Sequence, residues 1–579
     1  MRKTVVFAVA LLAIIISEAH AQAPNFDWAG GTNFNPGSSV SALYGNTIVA
    51  DTAYNVYATG VYTGTVDFDP GPGQWNLTTA ALSTYLIKMD PLGNLLWAKS
   101  LGDSGTVQVG SLANDAAGNL YLSGAFTKTT DFDPGPGVFM LTKTGTRLGF
   151  VLKLDRNGNF IWAKAFGGNL AYMEDMNLAC DTAGNVFVTA NFHGTVDADP
   201  GPGVQNMICS SSVYPNIFIL KLDSSGNYLW NDQISGTNTL TGYSLATDNA
   251  GGVYATGSFM GTADFDPGAG VMNLVATTNT VDAFILKLDA ATGSLDWAGS
   301  FGAASMDVGM VVSTDHAGNV FVSGPFGGVV DFDLSPAVYS VTAASNASDI
   351  YLLKLNAQGG FEWVRSWTIN GCGNGYYCAT DVQNNIYMIG NYKGPTDFDP
   401  GVGVLNYTTA ALGVSNIFML KLDTAGTLDW AIEMGSTQNA YGYSLVIPED
   451  MSIYSTGVFD TTTDFNPGAG TAYLAATQQQ MYMHKLDQSG GAGPPLNVHE
   501  AEAPSVLVYP NPGSGIFHIV TPAGQEREVI VTDALGKEIL RRKIYAANEQ
   551  IDLTEAPPGV YFLRIAGDQP DVVKLVKEK

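Results

Sequence analysis

Four short signatures return together seven times along this chain, at a spacing of 64 to 67 residues. Self-similarity at such a period means stacked copies of one supersecondary unit, so the unit has to be read first. One signature is Asp-Phe-Asp-Pro-Gly, as in "TVDFDPGPG" from Thr65. Its leading aspartates are Asp67, Asp131, Asp197, Asp264, Asp331, Asp397 and Asp464. A second is "DxxGNxYxTGxF", whose alternating apolar positions after Gly-Asn read as a turn entering a half-buried strand. The third is "FILKLD", and the fourth, just after it, is "LxWA". KLD, a short turn and LxWA together predict a β-hairpin. LxWA holds Trp28, Trp97, Trp162, Trp230, Trp297, Trp363 and Trp430, seven of the nine tryptophans. A tryptophan repeated at one strand position is expected between neighbouring sheets, each burial worth roughly 1.5–3 kcal/mol.

The phase of the two ends is informative. The array begins with "FDWA" at Phe26, which is the end of a unit, and stops at "MYMHKLD", whose Asp487 has no LxWA after it. Phe26 to Asp487 is 462 residues, seven units averaging 66. An open solenoid needs no whole number of units. A closed ring does, because pairing its first and last strands removes the exposed edge. The expectation is an all-β chain: a seven-bladed β-propeller over residues 22–487, closed by Phe26–Ala29 pairing beside Met481–Asp487. The long unit leaves room for a fifth strand or a long loop that carries the DFDPG segment.

With "GNxYxTG … DxFxxKLDxxG" in view, the units resemble the bacterial seven-bladed propeller repeat family known as SBBP. That resemblance covers nearly all of residues 26–487, implies the fold, and implies little about activity. The DFDPG segment departs from the family's commoner, less acidic text.

Residues 488–504, rich in Gly, Pro and acidic residues, read as a linker. Short alternating runs then fill residues 505–579 and predict a small Ig-like antiparallel β-sandwich. The texts "VYPNPGSGIFHI", "VTDALGKEI", "LTEAPPGVYFLRI" and "VVKLVKEK" resemble a type A C-terminal sorting domain of the type IX secretion system. The resemblance implies a bacterium of the Bacteroidota, recognition of residues 505–579 by the secretion machinery, and a product released or attached to the cell surface. At the other end, "MRKTVVFAVALLAIIISEAHAQA" has a basic start, a short apolar run and Ala19-His20-Ala21 as a cleavage site, so residues 1–21 read as a signal peptide. The run is too short to span a bilayer, and no transmembrane segment is expected in the mature chain.

The net charge of −27 argues against nucleic acid and anionic membranes as partners. Residues 505–579 are near neutral, with nine Lys/Arg against ten Asp/Glu. Four repeated positions account for 26 aspartates, so most of the acidity follows the architecture.

The aspartate pairs raise the question of a metal. They are Asp67 with Asp69, Asp131 with Asp133, Asp197 with Asp199, Asp264 with Asp266, Asp331 with Asp333 and Asp397 with Asp399; Asp464 is followed by Asn466. Residues two apart in a strand share a face, Pro70 removes a ladder donor, and Gly71 permits a turn with positive φ. On one reading both carboxylates accept backbone N–H groups, as in Asx-turns. On the other they help hold calcium, which takes six to eight oxygens and would need further ligands. No HExxH, GxSxG, P-loop or strand–GxGxxG–helix pattern occurs. Cys372 and Cys378 either close a small loop or stay as buried thiols, and a Cys180–Cys209 bridge is weaker still. The segments after each LxWA vary most. Tyr172, Glu174, Asp307, Asn374, Tyr376 and Tyr441 are the candidate ligand-rim residues there. The functional expectation is an exported propeller that binds a glycan or protein without catalysis. The alternatives are a polysaccharide hydrolase or lyase and a purely structural surface component.

Overall fold

The structure is a computed structural model that describes residues 23–34, 43–102, 106–142, 146–168, 172–209, 211, 213–277, 280–344, 349–369, 377–411, 413–468, 470–476, 479–488, 507–509, 516–520, 527–533, 537–544, 548–557, 559–566 and 571–577. The expected signal peptide, nearly all of the linker, and Cys372, Asn374 and Tyr376 lie outside the described residues. Among the described residues all regular structure is strand, paired antiparallel. No helix among them is long and apolar enough to cross a membrane. The chain divides into two compact units, Met1–Gly490 and Gly491–Lys579.

In the first unit one four-stranded antiparallel order recurs. It runs through Leu43–Ala50, Val56–Asp67, Asn76–Met89 and Leu95–Leu101. Next come Val107–Asn114, Leu120–Phe126, Leu148–Leu154 and Phe160–Phe166, then Tyr172–Cys180, Val186–Asp197, Asn216–Leu222 and Tyr228–Gly236. Leu240–Thr247, Gly252–Phe259, Asp282–Asp289 and Leu295–Phe301 follow. After them stand Val311–Thr314, Val320–Phe326, Asp349–Leu355 and Phe361–Trp367, and Tyr377–Thr380, Ile386–Tyr392, Asn416–Leu422 and Leu428–Met434. The last sheet has Ala440–Val446, Ile453–Phe459 and Gln480–Asp487. Its fourth strand is Asn25–Gly31, which pairs Phe26 with Leu486 and Trp28 with Lys485. Each sheet's first strand packs on that of the next, and Leu43–Ala50 also packs on Ala440–Val446.

The second strand of a sheet reads as half-buried in sequence, yet Leu120–Phe126 and Ile453–Phe459 are buried at every position. Neighbouring sheets cover both faces, so polar positions such as Thr59 turn inward and bond a strand carbonyl, that of Tyr85, at 2.7 Å. The turn before this strand is an Asx-turn. Asp115 Oδ1 accepts the N–H groups of Ala117 and Asn119, and Gly118 has φ +80°. Where glycine is missing, Tyr54, Asn384 and Met451 take φ of 62° to 65° in its place, a strain of about 1 kcal/mol or more each.

The DFDPG segment is the tip of a short hairpin, not a fifth blade-length strand. Thr130–Asp131 pairs with Met140–Leu141 and Val329–Asp331 with Ser340–Thr342. In the second unit, Leu507–Tyr509, Ile516–Val520 and Asn548–Asp552 form one sheet. Glu538–Ile544, Arg527–Asp533, Gly559–Ala566 and Asp571–Lys577 form another. One core draws on both, with Phe517 and Ile551 from the first and Val529, Val531, Tyr561 and Leu563 from the second.

Candidate functional site

In the DFDPG hairpin, Asp67 Oδ1 accepts the N–H of Asp69 at 3.1 Å and of Trp75 at 2.8 Å, closing the loop. Asp69 Oδ1 accepts the N–H of Gly71 at 2.8 Å. The leading carboxylates of Asp131, Asp197, Asp264, Asp331, Asp397 and Asp464 close their loops with the same pair of bonds. Asp133, Asp199, Asp266, Asp333 and Asp399 each hold the N–H two residues on, and Asn466 does so in the last copy. Gly71 is not in the positive-φ region expected for it. The glycine with a steric reason is Gly73, where a Cβ would lie 2.1 Å from Asp69 Oδ2. Among the described residues no three His, Cys, Asp or Glu gather in a way that could hold a metal ion.

The hairpin also reaches the preceding sheet. Asp197 exchanges backbone hydrogen bonds with Gly167 at 3.0 and 3.1 Å, and Asp464 N–H donates to Gly435 O at 2.8 Å. A Cβ on Gly30 would stand 2.8 Å from Pro70.

Tryptophan and lysine act as a pair. Trp162 Nε1 and Lys153 Nζ both donate to Ser224 O, in the turn of the next sheet, at 3.2 and 2.9 Å. Trp230 and Lys221 share Ala290 O, Trp297 and Lys287 share Ala357 O, and Trp363 and Lys354 share Thr424 O. The tryptophans do lie between sheets, but mostly half-buried at the edge, over the turn glycine. Behind them Lys88 pairs with Asp51 at 3.5 Å, and Tyr57 Oη donates to the same Asp51. These recurring charges are thus consumed in joining sheets.

What breaks the repeat is more telling. Of the rim candidates, Tyr172 is 37% exposed and Glu174 half-buried on the same strand, two residues apart. Tyr441 is half-buried and stacks on Tyr443 at 6.4 Å and 7°. Asp307 is not a rim group. It is fully buried, and it accepts the N–H groups of Ala303 at 2.7 Å and Gly327 at 2.9 Å. Burial pushes its carboxyl up to about 6 against the pull of those two bonds. Tyr172 and Tyr441 lie on the first strands of two different sheets, and Asp307 lies in the connector before the strand Val311–Thr314.

Three groups were missed by the sequence reading. Arg147 sits beside Tyr172, its guanidinium 5.9 Å from the ring centroid, and Nη2 donates to Gln108 Oε1 at 3.0 Å. Asp232 stands where other units carry Lys99, Lys164 and Arg365. Burial, then the nearby Asp266 charge, pushes it up to about 7, and its Oδ2 has no hydrogen-bond partner among the described residues. His484 replaces an apolar residue in the core of the last sheet. Nδ1 lies 3.3 Å from Ser455 Oγ, and the ring stacks on Phe26 at 5.9 Å. Burial drives its imidazole down to about 3. Cys180, Cys209 and Cys378 are free thiols, with Cys180 pushed above its usual range by burial.

Against known proteins, residues 507–578 match the family described as "Secretion system C-terminal sorting domain". That domain marks the chain for export through the type IX secretion machinery to the cell surface or the extracellular space. Over 330 residues the chain is 25% identical to "Uncharacterized WD repeat-containing protein L264" of Acanthamoeba polyphaga mimivirus; the match covers 48% of this chain and 23% of the relative's length. Among solved structures it is similar to a protein of unknown function from Bacteroides caccae, at 10% identity and TM-score 0.29, covering 60% of this chain and 89% of that one. It is also similar to PorZ, a bacterial surface component of the type IX secretion system of Porphyromonas gingivalis, at 11% identity and TM-score 0.17, covering 95% and 100%.

Proposed function

We propose that the mature chain is a secreted or surface-attached seven-bladed β-propeller that binds a glycan or protein and catalyses no reaction. Residues 1–21 are its signal peptide, 22–487 the propeller, 488–504 a linker, and 505–579 an Ig-like sorting sandwich read by the type IX machinery. Closure of the ring is supported by the pairing of Asn25–Gly31 with Gln480–Asp487 and by Ile48 N–H on Ser444 Oγ at 3.4 Å.

The observation that carries the binding role is the fate of the repeated charges. Leading aspartates close loops, and lysines and tryptophans tie sheet to sheet, which leaves unrepeated groups such as Arg147, Tyr172 and Tyr441 to meet a ligand. A scaffold whose titratable groups are engaged in its own joints suits display of a recognition surface. The test uses the purified mature chain on printed glycan and protein arrays, with reducing-end release measured on the same glycans. Binding without release is expected. Release of reducing ends, or no ligand of either class, would overturn the reading.

A further inference from the structure

Between the second and third sheets, polar groups that break the repeat come together at one end of the strands. Arg147 immediately precedes the strand Leu148–Leu154 and bridges to Tyr172, the first residue of the neighbouring sheet. At Arg147's place in the KLD strand the other units carry Leu82, Pro215, Val281, Ser348, Ser415 and Gln479, so this is the one cation at that position. Gln108 and Glu174 occupy equivalent places, each seven residues before the turn aspartate, on adjoining first strands. His193 pairs with Tyr172 across the strands, its ring 6.4 Å away.

The register slips between Glu174 and Asn177, and Asp175 sits in the slip at φ 49°, in the left-handed region. Other first strands slip as well, between Gly45 and Thr47, Val109 and Ser111, Gly242 and Ser244, and Gly442 and Ser444, but here the slip spans Asp175 and Met176 and turns the aspartate into the left-handed region that Asp tolerates. Buried Asn191 holds this residue by donating to Asp175 Oδ2 at 3.1 Å. Two further bonds fix Asn191 to Gly242: Oδ1 accepts the Gly242 N–H at 2.8 Å and Nδ2 donates to Gly242 O at 3.3 Å. The aspartate is thus held exposed, next to Glu174 in the chain and on the strand that Tyr172 begins.

We infer that Gln108, Arg147, Tyr172, Glu174 and Asp175 form a binding site for a neutral saccharide. This rests on the proposed glycan-binding role and gives it a place and a ligand class. Vicinal hydroxyls both donate and accept, and they match planar groups that do one or both: a guanidinium with five donors, an amide, and two carboxylates. Among the described residues, one Arg147 hydrogen bond goes to protein, leaving donors for a ligand. Tyr172 offers an apolar ring face at the rim for the C–H face of a sugar. One cation against two carboxylates gives no excess positive charge, and a chain of net charge −27 repels polyanions. Both facts select an uncharged sugar over an acidic one.

Native gels cast with soluble β-glucan, mannan or dextran, and in parallel with polygalacturonate, test this on the full mature chain. At least one neutral polymer should slow the protein, and polygalacturonate should not. Tyr172→Ala and Arg147→Ala should each weaken the retardation about tenfold or more, while the melting temperature stays within about 1 °C of wild type. Arg147→Gln and Tyr172→Phe, which keep the shape, serve if either alanine variant melts early; Arg147→Gln should weaken binding and Tyr172→Phe should retain it. A neutral polymer that slows wild type and variants alike leaves glycan binding standing and overturns this site. Retardation by polygalacturonate alone overturns the neutral class. No retardation by any neutral polymer overturns the assignment, and the protein arm of the array decides the wider reading separately.

Discussion

Trp28 and Lys485 donate to the same backbone oxygen, that of Pro91, each at 3.1 Å. One comes from the start of the repeat array and the other from its end, and the acceptor lies in the first KLD turn. In four other sheets the tryptophan and lysine share a turn carbonyl in the next, and this pair makes the same contact across the joint of the two ends. Asp27 adds an ion pair to Lys485 at 2.8 Å.

Loss of that joint is expected to be costly. Trp28→Ala should destabilise the first unit by about 2–4 kcal/mol, since it removes a packed ring and a donor. Deleting Phe26–Ala29 should do more, because it uncovers a whole strand edge on Gln480–Asp487. Denaturant melts of the two variants check this; a deletion variant as stable as wild type would refute the closure.

A second expectation concerns calcium. The leading carboxylate oxygen of each pair already holds two N–H groups, and no third acidic ligand stands by among the described residues. Asp67→Ala should cost about 1–3 kcal/mol by leaving those N–H groups unsatisfied, whereas Asp67→Asn should cost well under 1 kcal/mol, since an amide oxygen accepts both. Melting curves should coincide in millimolar calcium and in chelator. A calcium-dependent rise of several degrees would instead favour the metal reading.

Strand order and the turn chemistry of these sheets were legible because they are local. Alternation marks a strand, and an aspartate before Gly-Asn marks its turn. The shared carbonyls were not legible, since a tryptophan and a lysine meet on an oxygen that lies a full unit away in sequence. Exposure was misread at Asp307 for a related reason: a variable connector can turn inward to cap the N–H groups of Ala303 and Gly327. Variability alone cannot tell a rim from a plug. Arg147 has a usable signal as the lone cation at its repeat position, but it lies at a strand start rather than in the variable connectors after LxWA.

His484 should make the first unit sensitive to acid. Its folded-state value, about 3, lies below the ordinary 6.5. As pH falls below 6.5 the unfolded imidazole takes a proton that the buried one refuses, so stability falls from there to about pH 3 and is flat below. The loss is at most about 5 kcal/mol. His484→Leu, which restores the apolar residue of other units, should flatten this slope and gain stability at pH 4 more than at pH 8. Urea melts at the two pH values decide it; an unchanged slope would sink the assignment.

Asp232 should act with the opposite sign. Its folded-state value, about 7, lies above the ordinary 3.8. Between those limits the folded carboxyl keeps a proton that the unfolded one has lost, so stability declines as pH rises through this window and levels off above 7. The partners responsible are burial and Asp266, which faces it from the next hairpin. Asp232→Asn removes the charge. Asp232→Lys restores the cation that Lys99 and Lys164 supply over the same turn in other sheets. Both should raise stability by about 1–2 kcal/mol at pH 8 and do little near pH 4. A gain of equal size at both pH values would mean that the side chain's shape, not its charge, sets the cost. Because His484 weakens the fold on the acid side and Asp232 on the basic side, Asp232→Lys combined with His484→Leu should widen the stable range at both ends. Their effects should add, as the two sites lie in different sheets with no shared partner.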